Sequence, residues 1–256
     1  MPTVKRPEVL AIFYQATSSL ISRGAVPSTL IHSSHTIFRS VPGQYLPKPP
    51  AGGHVSKHTA NQALMPRDGS QDAGNRFSGP SLNAGIPSAG GLYCVMQQQA
   101  LVNEVMHYAK KPSHAAFADK CVLKIRLMAS LNCVDLSPHN PGHGEFLKQL
   151  LNSRGAKESL SKGLPPGTSI NLWDEITDGD DCSVARGIGL AVAQSSMYHG
   201  LVAETVRRSE RSLEEKGDNL ILYGEAMKQI AKLYVEQAYF FDDATHSVEI
   251  FPVQFP

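Results

Sequence analysis

Short strand-like runs are interspersed irregularly with longer helical segments along this chain, and that succession constrains the fold most. The clearest strand is Cys121 to Met128, where leucine and isoleucine alternate with Lys124 and Arg126, as on a half-buried β-strand. Further strands are predicted at 36–41, 92–96, 133–136, 200–205, 219–223 and 248–253. Because no regular strand–helix repeat is present, the sequence predicts an α+β fold with a mixed sheet core and flanking helices.

Helical spacing of apolar residues predicts helices at 7–23, 97–110, 145–153, about 181–198 and 224–241. The first helix has Pro7 in its opening turn and stops at Gly24. Asp180 or Asp181 is expected to cap the helix that runs to about Tyr198. Residues 156–180 are predicted to be mostly loop.

The segment from Pro42 to Gly90 has a different composition, dominated by Pro, Gly, Ser, Asn and Gln, and little periodicity. A connection of that length is unusual inside a compact domain and is typically functional or disordered. The sequence does not decide between these two interpretations.

Length and charge exclude several classes of protein. The chain has 256 residues, which indicates one domain or two small ones. Lys and Arg number 24 against 23 Asp and Glu, and a balance of this kind argues against nucleic acid or an anionic membrane surface as the main partner. No apolar run approaches the roughly 18 residues that span a bilayer, and Val9 to Phe13 is too short for a secretory segment. A soluble globular protein is predicted.

Common site motifs are mostly absent from the sequence. The four cysteines form no CxxC pair, and Cys121 and Cys133 lie in apolar runs, so they are predicted to be core residues in a reducing compartment. His139 and His143 are separated by Pro141 and Gly142, which break any shared helical face, so no metal site is expected. The fragment Gly187-Ile-Gly189 lies inside a predicted helix, which favours close helix packing over dinucleotide binding.

Four residues could together break a glycosidic bond in a nucleotide. Arg39 lies in a predicted strand and Arg76 in the long loop, and arginine forks bind phosphate oxygens bidentately. Tyr93 can stack on a flat ring, while Glu104 in the next helix could stabilise a sugar cation or activate a nucleophile. Taken singly, each residue is better explained by an ordinary position: Tyr93 in the core, Glu104 on a solvated helix face and both arginines on the surface.

The order of these segments resembles the RES-domain family, whose best-known members are bacterial toxins of Xre–RES pairs. The matching segments are IFRSV around Arg39, NRF at Arg76, GGLY ending at Tyr93, ALVNE ending at Glu104, CVDL at 133–136, ARGIGLAVAQ at 185–194, GLVAETVR at 200–207 and DNLILY at 218–223. The resemblance spans about residues 36–223, and it depends on the number and order of the segments rather than on one motif.

The resemblance implies an ADP-ribosyltransferase-like fold and NAD as the substrate. On that basis Arg39 and Arg76 would hold the pyrophosphate, Tyr93 would stack on nicotinamide, and Glu104 would stabilise the oxocarbenium-like transition state or orient the acceptor. The serine of the family falls on Thr205, which keeps the hydroxyl and adds a methyl group. Residues 1–35 would form a helical extension, and residues 36–256 a RES domain with an insertion at about 42–75.

Three functions stay open at this point. The first is a toxin that depletes NAD by phosphorolysis or hydrolysis, with an antitoxin or immunity protein as its partner. The second is a transferase that modifies a specific protein, and the third is a non-catalytic binding protein on the same fold. The toxin would act in its own cytoplasm or in that of a target cell. Helix 7–23 could serve a core or a homodimer.

Overall fold

The computed structural model describes residues 4–64, 76–83, 85–98, 101, 120–162, 165, 167–177, 181–204, 217–224, 233–242 and 247–254. The strands are β1 (Ser28–Ile31), β2 (Thr36–Pro42), β3 (Val55–Ser56), β4 (Gly91–Val95), β5 (Lys120–Leu127), β6 (Leu131–Asp135), β7 (Gly200–Glu204), β8 (Asp218–Tyr223), β9 (Leu233–Asp242) and β10 (Ser247–Gln254). The α-helices are α1 (Pro7–Ser22), α2 (Lys57–Leu64), α3 (His143–Leu151), α4 (Ala156–Ser161), α5 (Leu172–Thr177) and α6 (Ser183–Gln194). These elements confirm the predicted α+β class.

The strands form one mixed sheet that is nearly divided in the middle. Its order is β1-β6-β7-β8-β4-β2-β5-β9-β10-β3. Strand β2 pairs with β5 along its whole length, but it pairs with β4 only at Phe38 and Val95. We therefore describe a first half-sheet, β1-β6-β7-β8-β4, and a second half-sheet, β2-β5-β9-β10-β3, joined by the β2–β4 junction.

Two apolar clusters cover opposite faces of the first half-sheet. The inner core joins both half-sheets and includes Leu92, Cys94 and Leu220 of the first with Leu123 and Ile125 of the second. The helical core lies on the other face, where residues of β6, β7 and β8 pack against the helices. The residues of β4 and β8 alternate between the two cores, as the period of two in a strand requires.

The glycine pair of α6 allows close packing, against α1 at Gly187 and against the turn of Phe77 at Gly189. A Cβ atom at Gly187 would lie 2.6 Å from the carbonyl oxygen of Leu10 in α1. A Cβ at Gly189 would lie only 1.9 Å from the carbonyl oxygen of Phe77. The predicted role of this pair in close helix packing is confirmed.

Several sequence predictions match the structure and others do not. Residues 233–242, predicted within a helix at 224–241, form β9, and residues 156–180 contain α4 and α5 where mostly loop was predicted. Both helices have six residues, too few to show a helical period. Helix α6 ends at Gln194 rather than near Tyr198. The predicted helix 97–110 lies largely outside the described residues.

The proline-rich connection also contains regular structure that its composition did not indicate. Strand β3 pairs in parallel with the end of β10, and α2 buries Ala60, Ala63 and Leu64 in the inner core. The small apolar face of α2 explains why the hydrophobic periodicity of this part of the sequence is weak. The assignment of residues 42–75 as an insertion and of residues 1–35 as an extension stays a prediction.

All four cysteines are buried and none forms a disulfide. Burial raises the pKa of Cys94 to about 11 and that of Cys121 and Cys133 to about 12, so these thiols are protonated at neutral pH. The predicted core role of Cys121 and Cys133 is confirmed. Within the described ranges, no helix has the length and apolar character needed to cross a bilayer.

Candidate active site

Arg39 lies at the β2–β4 junction, where the two half-sheets separate. Its Nη1 donates a hydrogen bond of 2.8 Å to the carbonyl oxygen of Tyr93 in β4. Its Nε is buried and has no hydrogen-bond partner among the described residues. Burial lowers the pKa of the guanidinium, against a smaller opposing effect of nearby Cys94. A buried donor without an acceptor is costly, so Arg39 is well suited to receive an anionic ligand.

Tyr93 connects this arginine with the turn that carries Arg76. The Tyr93 hydroxyl accepts a hydrogen bond of 2.8 Å from the backbone N–H of Phe77. The Tyr223 hydroxyl, on the neighbouring strand β8, donates one of 3.0 Å to the Phe77 carbonyl oxygen. Both backbone groups of Phe77 are therefore held by tyrosines of adjacent strands. Burial raises the pKa of both phenols above their ordinary value, so both are neutral.

The Tyr93 ring and the Arg39 side chain lie on different sides of the sheet. The ring packs against the helical core, whereas Arg39 shares the strand parity of Ile37 and Val41, which belong to the inner core. The contact between the two residues is made at the Tyr93 carbonyl, in the plane of the sheet. The structure thus brings Arg39, Tyr93 and the Arg76 turn together through hydrogen bonds.

Arg76 is positioned by the end of helix α5. Its Nη1 donates a hydrogen bond of 3.0 Å to the carbonyl oxygen of Ile176, in the last turn of that helix. The last carbonyls of a helix have no partner within it, and a cation placed there is stabilised. Helix α5 therefore holds the Arg76 guanidinium beside the sheet.

Arg186 of α6 is a buried residue near this site that the sequence reasoning missed. It is 2% exposed, and its Nη1 lies 3.5 Å from the carbonyl oxygen of Pro80. Together with the close approach at Gly189, it fixes residues 76–80 against α6. A single arginine inside the apolar run ARGIGLAVA was the available signal, since an arginine is rarely fully buried without a reason.

A second polar cluster occupies the ends of β6, β7 and β8. Glu204 and Asp218 face each other across the β7–β8 pair, and Asp135 ends the neighbouring strand β6. Burial, together with Asp135 and Glu204, raises the pKa of Asp218. Burial lowers the pKa of His143. A hydrogen bond with the Leu136 backbone and the charges of Asp135 and Glu204 act in the opposite direction and are outweighed. The cluster is assembled from distant strands, so spacing in the sequence could not reveal it.

Two predicted site residues, Glu104 and Thr205, lie outside the described residues. Their predicted roles as catalytic and ligand-binding residues stay predictions. In the described parts of the chain, no group of three or more His, Cys, Asp or Glu side chains could hold a metal ion.

Comparisons with known proteins were made at three levels. No family model, no curated protein and no solved structure matches the chain.

Proposed function

We propose that this protein cleaves NAD at the bond between nicotinamide and ribose and depletes the NAD of a cell as a toxin. The resemblance to the RES-domain family motivates the proposal. The observation that supports it best is the junction of the half-sheets, where Arg39 and the Arg76 turn are both hydrogen-bonded to Tyr93. An ADP-ribosyltransferase-like fold is part of this proposal, supported by the near division of the sheet between β2 and β4.

The buried Nε of Arg39 supports the fit of a pyrophosphate. This donor has no acceptor among the described residues, and a phosphate oxygen would supply one. Guanidinium groups bind phosphate through two parallel hydrogen bonds, which suits a dinucleotide whose charge is concentrated on the pyrophosphate. The Nη1 bond to Tyr93 would orient the fork before the substrate binds.

In the proposed reaction the bond between C1′ of the ribose and the nicotinamide nitrogen breaks. The electron pair leaves with nicotinamide, which departs as a neutral molecule, and water or phosphate attacks C1′. Attack by water also releases a proton. Glu104 would stabilise the positive charge that develops on the ribose or orient the acceptor, a type of electrostatic contribution that is often large. Tyr93 would position both arginines, and its stacking on nicotinamide is a further prediction.

The proposal is tested by incubating purified protein with NAD and measuring nicotinamide and the ribosyl product over time, with and without inorganic phosphate. We expect nicotinamide release by the wild type and a rate reduced about tenfold or more in Arg39→Ala, equivalent to about 1.4 kcal/mol or more of transition-state stabilisation. Arg154→Ala is the matched control, because Arg154 is exposed and distant in sequence from the junction. Its rate should equal that of the wild type.

The outcome distinguishes the other two functions. A protein ADP-ribosyltransferase would release no nicotinamide when NAD is the only substrate present. After cell lysate is added, it would release nicotinamide and label one protein. Absence of release under both conditions would favour a non-catalytic binding protein and would contradict the proposal. A toxin of this kind also requires a neutralising partner in the cell that produces it, an antitoxin or an immunity protein.

A further inference from the structure

The outer face of the second half-sheet is the surface that points away from the inner core. It is formed by alternate residues of β5, β9 and β10, whose other residues, such as Ile125, Val235 and Phe251, are buried in the inner core. The described helices pack in the helical core or, for α2, in the inner core. The face also lies opposite to the side of β2 that carries Arg39.

A β-bulge shapes the centre of this face. Lys124 pairs with Gln237 and the next residue, Ile125, pairs with Val235, so Glu236 is an extra residue in β9. The bulge places the Glu236 carboxylate between Lys124, at 3.3 Å, and Arg126. Bulges commonly redirect a side chain in this way. The three charged groups border an open groove of about 410 Å³, lined by Lys124, Arg126, Met128, Tyr234, Glu236, Gln237 and Pro252.

The groove has an excess of positive charge that solvent can reach. The Glu236 side chain is only 13% exposed, whereas that of Arg126 is 50% exposed. Lys124 and Arg126 face the single carboxylate of Glu236, so the Arg126 guanidinium keeps exposed N–H donors for another acceptor. Exposed ion pairs contribute only about 0–1 kcal/mol, and an incoming carboxylate can therefore compete with Glu236.

Exposed apolar side chains share the face with this basic groove. Six large apolar residues are strongly exposed in the described parts of the chain, and three of them belong to this face: Met128, Val248 and Ile250. Arg, Tyr and Met are the residue types enriched at protein interfaces, and a concentration of exposed apolar groups marks an interaction surface. A small ligand would be poorly enclosed by an open groove, since small-molecule sites bury most of the ligand surface.

We propose that this face docks an extended acidic segment of a protein partner. A carboxylate of the segment binds Arg126 in the groove, and neighbouring apolar side chains of the same segment cover Met128 and Ile250. The charge excess selects an acidic partner, and the exposed apolar residues supply contact area. Because the face lies away from Arg39, this docking is independent of the proposed NAD cleavage.

The test uses the full chain and a fluorescein-labelled peptide of alternating Glu and Leu, with fluorescence anisotropy as the readout. We expect saturable binding with a Kd on the order of 100 μM, and binding about tenfold weaker for the analogue with Gln in place of Glu. Arg126→Glu and the milder Arg126→Gln should each weaken binding of the Glu peptide by about tenfold. Circular dichroism verifies that both variants fold. Lys148→Glu is the matched control, since Lys148 is another exposed cation beside a single carboxylate, Glu145.

Four results would overturn the proposal. The first is equal binding of the two peptides or the absence of binding. The second is a loss of peptide affinity in Lys148→Glu as large as that in Arg126→Glu, which would indicate that the peptide is attracted by net charge alone. The third is competition by free glutamate as effective as that by unlabelled peptide, which would define a small-anion site. The fourth is self-association in sedimentation that Ile250→Ser abolishes, which would assign the face to a second copy of this chain.

Discussion

At the scale of single residues, Tyr93 organises the candidate site through its backbone as much as through its side chain. Its carbonyl oxygen holds Arg39 and its hydroxyl holds Phe77, next to Arg76. Two of the five site residues named from the sequence, Arg39 and Tyr93, are thus hydrogen-bonded to each other, and a third, Arg76, is the chain neighbour of a residue bonded to Tyr93. Arg186 escaped prediction because its role depends on the contact with Pro80, 106 residues earlier in the chain, which no local pattern encodes.

Gly189 is the residue whose replacement tests this packing most simply. Its Cβ would lie 1.9 Å from the Phe77 carbonyl oxygen, so Gly189→Ala must displace the segment that carries Arg76 or shift α6. We expect a loss of about 1–3 kcal/mol in the free energy of unfolding, measured by urea denaturation. Gly144→Ala is the control, because Gly144 is also helical and has no heavy atom within 4 Å of the added Cβ.

Gly144→Ala should leave stability unchanged or raise it by up to about 1 kcal/mol, since alanine favours helix more than glycine does. Equal stability of Gly189→Ala and the wild type would show that residues 76–80 and α6 are not in close contact. The arrangement of Arg76 described above would then be wrong.

At the scale of elements, strand β5 was predictable and β9 was not, for one physical reason. In β5 the buried residues Cys121, Leu123, Ile125 and Leu127 keep a period of two, and Val122 is the one buried residue of the strand outside it. In β9 the bulge at Glu236 interrupts the period of two. The buried positions are Leu233, Val235, Ala238 and Phe240, so the step from Val235 to the next buried position, Ala238, is three residues. That step resembles helical spacing, so the sequence predicted a helix. The bulge depends on pairing with β5, which is a tertiary interaction.

The beginning of α6 is attached to the N-terminal segment by charged hydrogen bonds. Asp181 accepts hydrogen bonds from Ser183, the Lys5 backbone and Arg6, and Arg6 also binds Glu175 at 2.5 Å. Burial alone would raise the pKa of Asp181, but the bonds from Ser183, Lys5 and Arg6 outweigh it and the pKa is lowered. Asp181 was one of two residues predicted to cap this helix, and that prediction is wrong: Cys182 is the N-cap residue and makes no side-chain capping bond, while Asp181 precedes it and accepts a hydrogen bond from the Ser183 N–H.

This lowered pKa predicts how stability changes with pH. A carboxyl whose pKa is lower in the folded than in the unfolded chain stabilises the fold above the unfolded value, about 3.9, and loses that contribution as pH falls through the folded value. We expect Asp181→Asn to reduce the free energy of unfolding by about 1–3 kcal/mol at pH 7. The difference from the wild type should shrink below about pH 4.

Urea denaturation of both proteins between neutral and acidic pH measures this difference. Asp174→Asn is the control, since Asp174 lies on the neighbouring helix α5 and is exposed. A difference between the wild type and Asp181→Asn that is independent of pH would contradict the prediction, because it would show that ionised Asp181 contributes nothing beyond its shape.

At the scale of the whole molecule, two half-sheets meet at a junction that a single residue pair maintains. The first half-sheet is covered by helices that position Arg76, and the second presents a basic and apolar face on which none of the described helices packs. The sequence predicted the strands that form the junction and the arginine in it, because alternation and turn composition are local. It could not predict the strand-end acids Glu204 and Asp218, which meet only when β7 and β8 pair.

The proposed destruction of NAD by this protein is tested most directly by the NAD content of bacterial cells after induced expression. We predict that the wild type lowers cellular NAD by about tenfold or more, and that Glu104→Gln, expressed to the same level and folded, leaves NAD unchanged because the charge proposed to stabilise the ribosyl cation is removed. Unchanged NAD in cells that express the wild type, or an equal fall with Glu104→Gln, would contradict the account.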